Sequence, residues 1–319
     1  MRSTVGAAGD LRLGIIGTDT SHATAFTRVL NDAQAEGHVE GARVVAAYKG
    51  GSPDVEQSVK VLDKYAAELK EKWGVQFVDS IADLCPLVDG LLLESVDGRT
   101  HLPQFREAVR CAKPVFIDKP LAATLEDAFA IAQVAREANV PQDRTGRSVA
   151  VVHGVSWFSA SALRFSPIAE LRNPQMSSAM VWAPAPLEPH HQLDLSWYGI
   201  HAVEMLYTIF GPGCMEVSRM SSADADVITG RWRDGRLGTV HTQRPYGEYG
   251  GVVFLRDKTL LAKPDIPIDY VPLVREIVKF MQTKAPPVAN EETLEIFEFM
   301  DAAQRSLEQG GGAVRLRRP

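Results

Sequence analysis

The chain has 319 residues, 45% apolar and 23% charged, ordinary values for a globular protein, and at roughly 100 to 200 residues per domain it divides into two. A formal charge of -6 and a pI near 5.8 offer no broad basic field for nucleic acid, and the Arg315-Leu-Arg-Arg318 tail reads as a solvated end. No apolar run reaches the roughly eighteen residues a membrane span needs, and the scattered Cys85, Cys111 and Cys214 read as plain thiols of a reducing, cytoplasmic compartment rather than a disulfide framework.

Residues 1–10 are small and polar, lack the apolar core of a secretory signal, and read as a loose leader. The pattern predicts a strand over 11–17, a helix over 23–35 and a strand over 44–48. A helical period runs over 55–73 with Gly74 as its stop, and a strand follows over 76–78. Residues 79–83 fit a short capped helix. The run 89–94 holds three consecutive leucines, as in a strand covered on both faces, so the sheet is mostly parallel. A loop over 97–101 and a helix over 105–112 feed a strand that begins at Lys113. Thr124 to Asp127 fits a capping box before a helix to about Ala138, 148–152 is a further strand, and the domain boundary is placed near His153.

The second half changes character. A helix is expected over 155–162, period-two strands over 177–183, 226–232, 237–242 and 251–255, and helices over 196–210, 270–283 and 291–309. These predict a largely antiparallel sheet with helices on one face.

The stretch from Lys113 to Ala122 delivers Lys119 and Pro120 at the carboxyl end of a buried strand, where open α/β sheets bind ligands. An ammonium there can orient a hydroxyl, stabilise a developing alkoxide or carry a proton, and the proline stiffens the bend that aims it. The spacing from His101 through Ala108 to Asp118-Lys119-Pro120, together with Leu13-Gly-Ile-Ile-Gly17, Tyr198-Gly-Ile-His201 and residues 287–316, resembles the glucose-fructose oxidoreductase, inositol dehydrogenase and MocA family. Asp-Lys-Pro stands here where Glu-Lys-Pro is usual. The resemblance implies an α/β Rossmann domain over 1–153 that binds NAD(P). It implies next an α+β substrate-binding and oligomerisation domain over 154–319, with a largely antiparallel sheet covered by helices on one face. It further implies a sugar, cyclitol or related polyol as substrate and a homodimer or homotetramer; neither a nucleic-acid nor a membrane partner is indicated.

Against that family the loop Gly17-Thr18-Asp19-Thr20-Ser21-His22 departs most, because Asp19 and His22 stand where the dinucleotide fingerprint has glycines. Asp19 adds bulk and negative charge where a backbone approaches a pyrophosphate. The hydroxyls of Thr18, Thr20 and Ser21, the helix N-terminus and His22 all favour that anion. Asp19 or Ser21 alternatively caps the helix. After the second strand, Ala47-Tyr-Lys-Gly-Gly-Ser52 holds no carboxylate for a ribose diol, and Lys49 with Ser52 tilts the expectation from NAD toward NADP. An exposed turn lysine is the plain alternative. Ser95, Asp97, His101, Asp118, Lys119 and Pro120 complete the expected cofactor contacts.

The resemblance makes Lys119 and His201 the catalytic candidates, facing each other at the domain interface. A neutral imidazole can take the hydroxyl proton of a secondary alcohol while Lys119 stabilises the alkoxide. The family's usual aspartate one turn before the histidine is Trp197 here, so Asp194 or Glu204 is left to orient the ring, with Tyr198 a further proton handler. Glu204 alternatively is a helix-surface acid. Trp157, Arg164 and Trp197 are the expected substrate contacts; Arg164 could equally form a structural ion pair, and Trp197 a core aromatic. His153, His190, His191, His201 and His241 lack zinc-site spacing, and no metal is expected. Two other readings stay open: a redox-silent sugar-binding or regulatory relative, and a lyase or glycosidase that recycles its bound NAD.

Overall fold

The computed structural model describes residues 9–138, 154–262 and 266–317. The first half runs β1 (Leu11–Ile16), α1 (Ser21–Asn31), β2 (Ala42–Tyr48), α2 (Glu56–Trp73), β3 (Gln76–Val78), α3 (Ile81–Leu84), β4 (Gly90–Leu93), α4 (His101–Ala108), β5 (Val115–Ile117) and α5 (Leu125–Glu137). These follow the predicted order closely. Gly74 ends α2 in the left-handed conformation, Ser80 caps α3, and the Thr124 hydroxyl accepts from the Asp127 N–H at 3.1 Å. The strand expected over 148–152 and the boundary near His153 lie outside the described residues.

β6 (Trp157–Ser159) completes a six-stranded parallel sheet of order β3-β2-β1-β4-β5-β6. The expected helix over 155–162 is therefore replaced by a short strand, followed by 3-10 turns at Ala162–Phe165 and Pro167–Leu171. All three residues of β6 are buried, so no alternation betrays it.

β7 (Met176–Pro184), α6 (Ile200–Phe210), β8 (Cys214–Ser221), β9 (Ala225–Trp232), β10 (Leu237–Gln243), β11 (Gly250–Leu255), β12 (Thr259–Leu261), α7 (Val271–Thr283), α8 (Asn290–Glu308) and β13 (Val314–Arg315) follow. A seven-stranded sheet of order β12-β11-β7-β10-β9-β8-β13 is antiparallel throughout except for the parallel β7–β10 pair. α6, apolar on nearly every face, lies against β7 and β10, and Trp232, Tyr207, Phe210 and Phe299 pack together beside it. Strands β8, β12 and β13 were not predicted, and α6 begins four residues later than expected, after a 3-10 turn at Asp194–Ser196.

The described residues pack as two compact units. The first draws on residues 9–122, 129–138, 154–159 and 270–290, and the second on residues 123–128, 160–262, 266–269 and 291–317. Within the first unit, α7 returns to cover α1 and the sheet. The Tyr270 ring meets His22 and Phe26 at 4.8 and 5.6 Å, and Phe280 meets Phe158 at 4.8 Å. Cys85 and Cys111 are joined as a disulfide, contrary to the expectation of three plain thiols, and Cys214 is buried and free. No described helix is long and apolar enough to cross a membrane.

Candidate active site

The loop between β1 and α1 is shaped by Gly17, whose φ of +89° suits glycine and whose added Cβ would fall 2.2 Å from the Ser95 hydroxyl oxygen. Thr18 N–H and hydroxyl both donate to the Lys49 carbonyl, tying the loop to the end of β2. Thr20, rather than Asp19 or Ser21, caps α1 by accepting from His22 N–H. Asp19 does not project toward a ligand. Its carboxylate is fully buried, with Oδ2 accepting from the Ser58 hydroxyl at 2.6 Å and Oδ1 from the Val96 N–H at 3.1 Å. Burial raises its pKa despite those donors. The expected repulsion of a phosphate is thereby corrected: the charge that stood against anion binding is turned into the protein.

The first turn of α1 holds no acidic residue, so its N–H groups, with Ser21 and His22, fit a pyrophosphate. Lys49 pairs with Asp63 at 2.5 Å in an exposed contact, while Ser52 is buried and donates its N–H to Ser58.

Beyond β5, Asp118, Lys119 and Pro120 follow in a buried turn with a cis Lys119–Pro120 peptide. Asp118 Oδ2 lies 2.5 Å from His22 Nδ1, a pair 96 residues apart in sequence. Burial opposes the ionisation of Asp118, but the charge and hydrogen bond of His22, and then Lys119, hold its pKa below the ordinary value. His101 is entirely buried with Nε2 2.7 Å from the Ser95 carbonyl and Nδ1 3.2 Å from that of Leu121, and burial pushes its pKa down. Asp97, buried too, gives both oxygens to Arg99. His101 and Asp97 thus brace the loop that follows β4.

In the second unit, the turn before α6 and its first residues gather an aromatic cluster. Tyr198 meets the His201 ring edge-on at 5.8 Å and Tyr249 meets it at 5.9 Å; Trp197 packs on His191 at 5.0 Å and is buried. Asp194 accepts from Arg219 through both oxygens at 2.8 Å. Glu204 is buried rather than on the helix surface, and its Oε2 accepts from the Ser161 N–H at 2.9 Å. Arg164 is buried and paired with Glu292. Trp157 sits within β6 of the first unit, a core strand position. Among the described residues, no group of three or more His, Cys, Asp or Glu side chains is placed to hold a metal.

Sequence reasoning missed Glu94. It follows β4, is fully buried, and neither carboxyl oxygen has a hydrogen-bond partner among the described residues. Only its place between the leucines of β4 and the loop of Ser95 could have singled it out.

Residues 11–142 match the family described as an oxidoreductase family with an NAD-binding Rossmann fold, the glucose-fructose oxidoreductase, inositol dehydrogenase and MocA group. Over these residues the chain is similar to that family. Three solved structures extend the likeness to the whole chain. A "probable dehydrogenase" from Thermotoga maritima is 20% identical with a TM-score of 0.74, covering 96% of this chain and 99% of its own. Myo-inositol dehydrogenase from Lactobacillus casei, in complex with NAD(H) and myo-inositol, is 17% identical with a TM-score of 0.69, covering 97% and 98%. Scyllo-inositol dehydrogenase of the same organism, with NAD(H) and scyllo-inositol bound, is 12% identical with a TM-score of 0.71, covering 96% and 99%. At these identities the likeness is one of fold. No curated protein matches the sequence. The matched residues carry strands β1 to β5 of the parallel sheet described above, with the loop of Gly17 at its first strand-to-helix turn.

Proposed function

We propose that the protein is an NAD(P)-dependent dehydrogenase acting on a secondary alcohol of a sugar, cyclitol or related polyol. The observation that carries the reading is Lys119, delivered nearly buried at the carboxyl end of β5 in a family that binds NAD. The inositols named with the Lactobacillus casei structures support the substrate class. When bound, the nicotinamide accepts or supplies the hydride. Thr20, Ser21, His22 and the N-terminus of α1 would hold the pyrophosphate, an arrangement favoured by the inward turn of Asp19. His201 takes the hydroxyl proton as the carbonyl forms, and Lys119 stabilises the alkoxide through its ammonium. Tyr198, edge-on to His201, helps orient the ring.

Lys49 still supports a 2′-phosphate and so NADP, because an ion pair as exposed as Lys49–Asp63 contributes little; Asp63, however, offers the carboxylate that NAD requires. The solvent-facing side of the second sheet carries Met180, Val227, Leu237 and Phe254, which supports a homodimer or homotetramer.

Fluorescence titration with NADH and NADPH, followed by turnover of a panel of inositols and sugars, tests the reading. Lys119→Ala and His201→Ala should each lower kcat by about a hundredfold or more. Absence of binding by either dinucleotide would reject the dehydrogenase in favour of the redox-silent alternative.

A further inference from the structure

The end of the parallel sheet holds a second carboxyl that the proposed reaction does not use. Leu93 of β4 pairs with Ile117 of β5, so Glu94 and Asp118 stand one step beyond, side by side at the ends of neighbouring strands. Strands in a sheet are about 4.8 Å apart, within reach of two carboxyl groups. On the other side of β4, Ile16 pairs with Leu93, so the position flanking Glu94 is Gly17, which has no side chain. Asp118 Oδ2 is taken by His22, while Asp118 Oδ1 and both oxygens of Glu94 are buried and lack a hydrogen-bond partner.

The surrounding charges are otherwise engaged. Asp19, from the β1–α1 loop, accepts from Ser58 and Val96; Asp97, from the loop after Glu94, is held by Arg99; His101, from α4, faces two carbonyls. His22 of α1 faces Asp118, and Lys119 follows Asp118 in the chain. None of these gives Glu94 a cation, and two ionised carboxylates side by side in a dry pocket repel strongly.

We propose that Glu94 is held as a neutral carboxylic acid whose O–H donates to Asp118 Oδ1, making the two carboxyls one singly charged pair that positions His22 and Lys119. The proton stays on Glu94, two of the three orphan oxygens gain a partner, and the negative charge remains on Asp118, where His22 meets it. Burial first, and the charge of Asp118 second, push the Glu94 pKa well above the ordinary carboxyl value, in keeping with this arrangement. Glu94 is a positioning residue: it acts through Asp118 on the turn that carries Lys119.

The kinetic part rests on the dehydrogenase reading; the spectroscopic part does not. Infrared spectra of the full chain near neutral pH should show the carbonyl stretch of a buried carboxylic acid, and the isosteric Glu94→Gln should lack it. Because folding raises the Glu94 pKa, wild-type stability falls as pH climbs above the ordinary Glu range. Relative to Glu94→Gln, its folding equilibrium constant should drop about tenfold per pH unit until Glu94 ionises in the folded state. In turnover, Glu94→Ala should lose about tenfold or more in kcat, and Glu94→Gln, whose amide N–H₂ still donates to Asp118, should restore most of it. Identical infrared spectra, or stability curves that run parallel across pH, would overturn the neutral acid. A lost band with Glu94→Ala as active as Glu94→Gln would overturn the positioning role.

Discussion

At the second glycine position of the dinucleotide fingerprint, an outward carboxylate would repel a phosphate, but the Asp19 side chain turns inward and becomes a strut. It links the β1 loop, α2 and the loop after β4 through Ser58 and the Val96 N–H. Asp19→Ala leaves that N–H and hydroxyl unpaired in a buried site and should cost about 2–4 kcal/mol in urea unfolding, with Asp19→Asn closer to wild type. The residue type was legible in the sequence; its direction was not, because it depends on Ser58, 39 residues further along. The same holds for His22, whose partner Asp118 comes from another strand of the sheet. Lys119 differs. Its place follows from local pattern alone, a short apolar strand ending in a lysine and proline.

Among the elements, those with a cap, a stop or a clear period were legible: α2 with Gly74, α3 with Ser80, α5 with Thr124, and the alternating β9 and β10. β8 was hidden because its inward positions include a charged residue. Arg219 is buried there, held by Asp194 from the turn before α6 and by Asp226 of β9, while Arg244 and Thr242 bond the other oxygen of Asp226. β12 and β13, of three and two residues, are too short to carry a period. Burial works against the ionisation of Asp226, but hydrogen bonds from Arg244, Ser221 and Thr242, with the charge of Arg219, bring its pKa to about 2. A carboxyl lowered on folding stabilises above its ordinary pKa and loses that contribution as pH falls through the lowered value. Acid unfolding followed by circular dichroism should therefore show Asp226→Asn less stable than wild type by about 1–2 kcal/mol at neutral pH, the gap closing between about pH 4 and pH 2.

For the whole molecule, the disulfide matters most where the sequence was least informative. Scattered cysteines at no recognisable spacing concealed a pair, 26 residues apart, that joins the residue after α3 to the 3-10 turn after α4. Closing a loop of that length is worth about 3 kcal/mol in the chain-entropy model. Calorimetry with a thiol reductant should thus find the unfolding temperature lowered by roughly 5–10 °C, and Cys85→Ser should match the reduced protein.

The return of α7 to the first unit has a consequence for biogenesis. A ribosome that has finished β6 must add about 110 further residues before Tyr270 emerges, roughly 5–20 s at ordinary elongation speeds. During that interval Phe26 and Phe158 lack the aromatic cover that Tyr270 and Phe280 later provide. The nascent chain thus carries an oily, half-built lobe out of the exit tunnel, the kind of surface that chaperones grip.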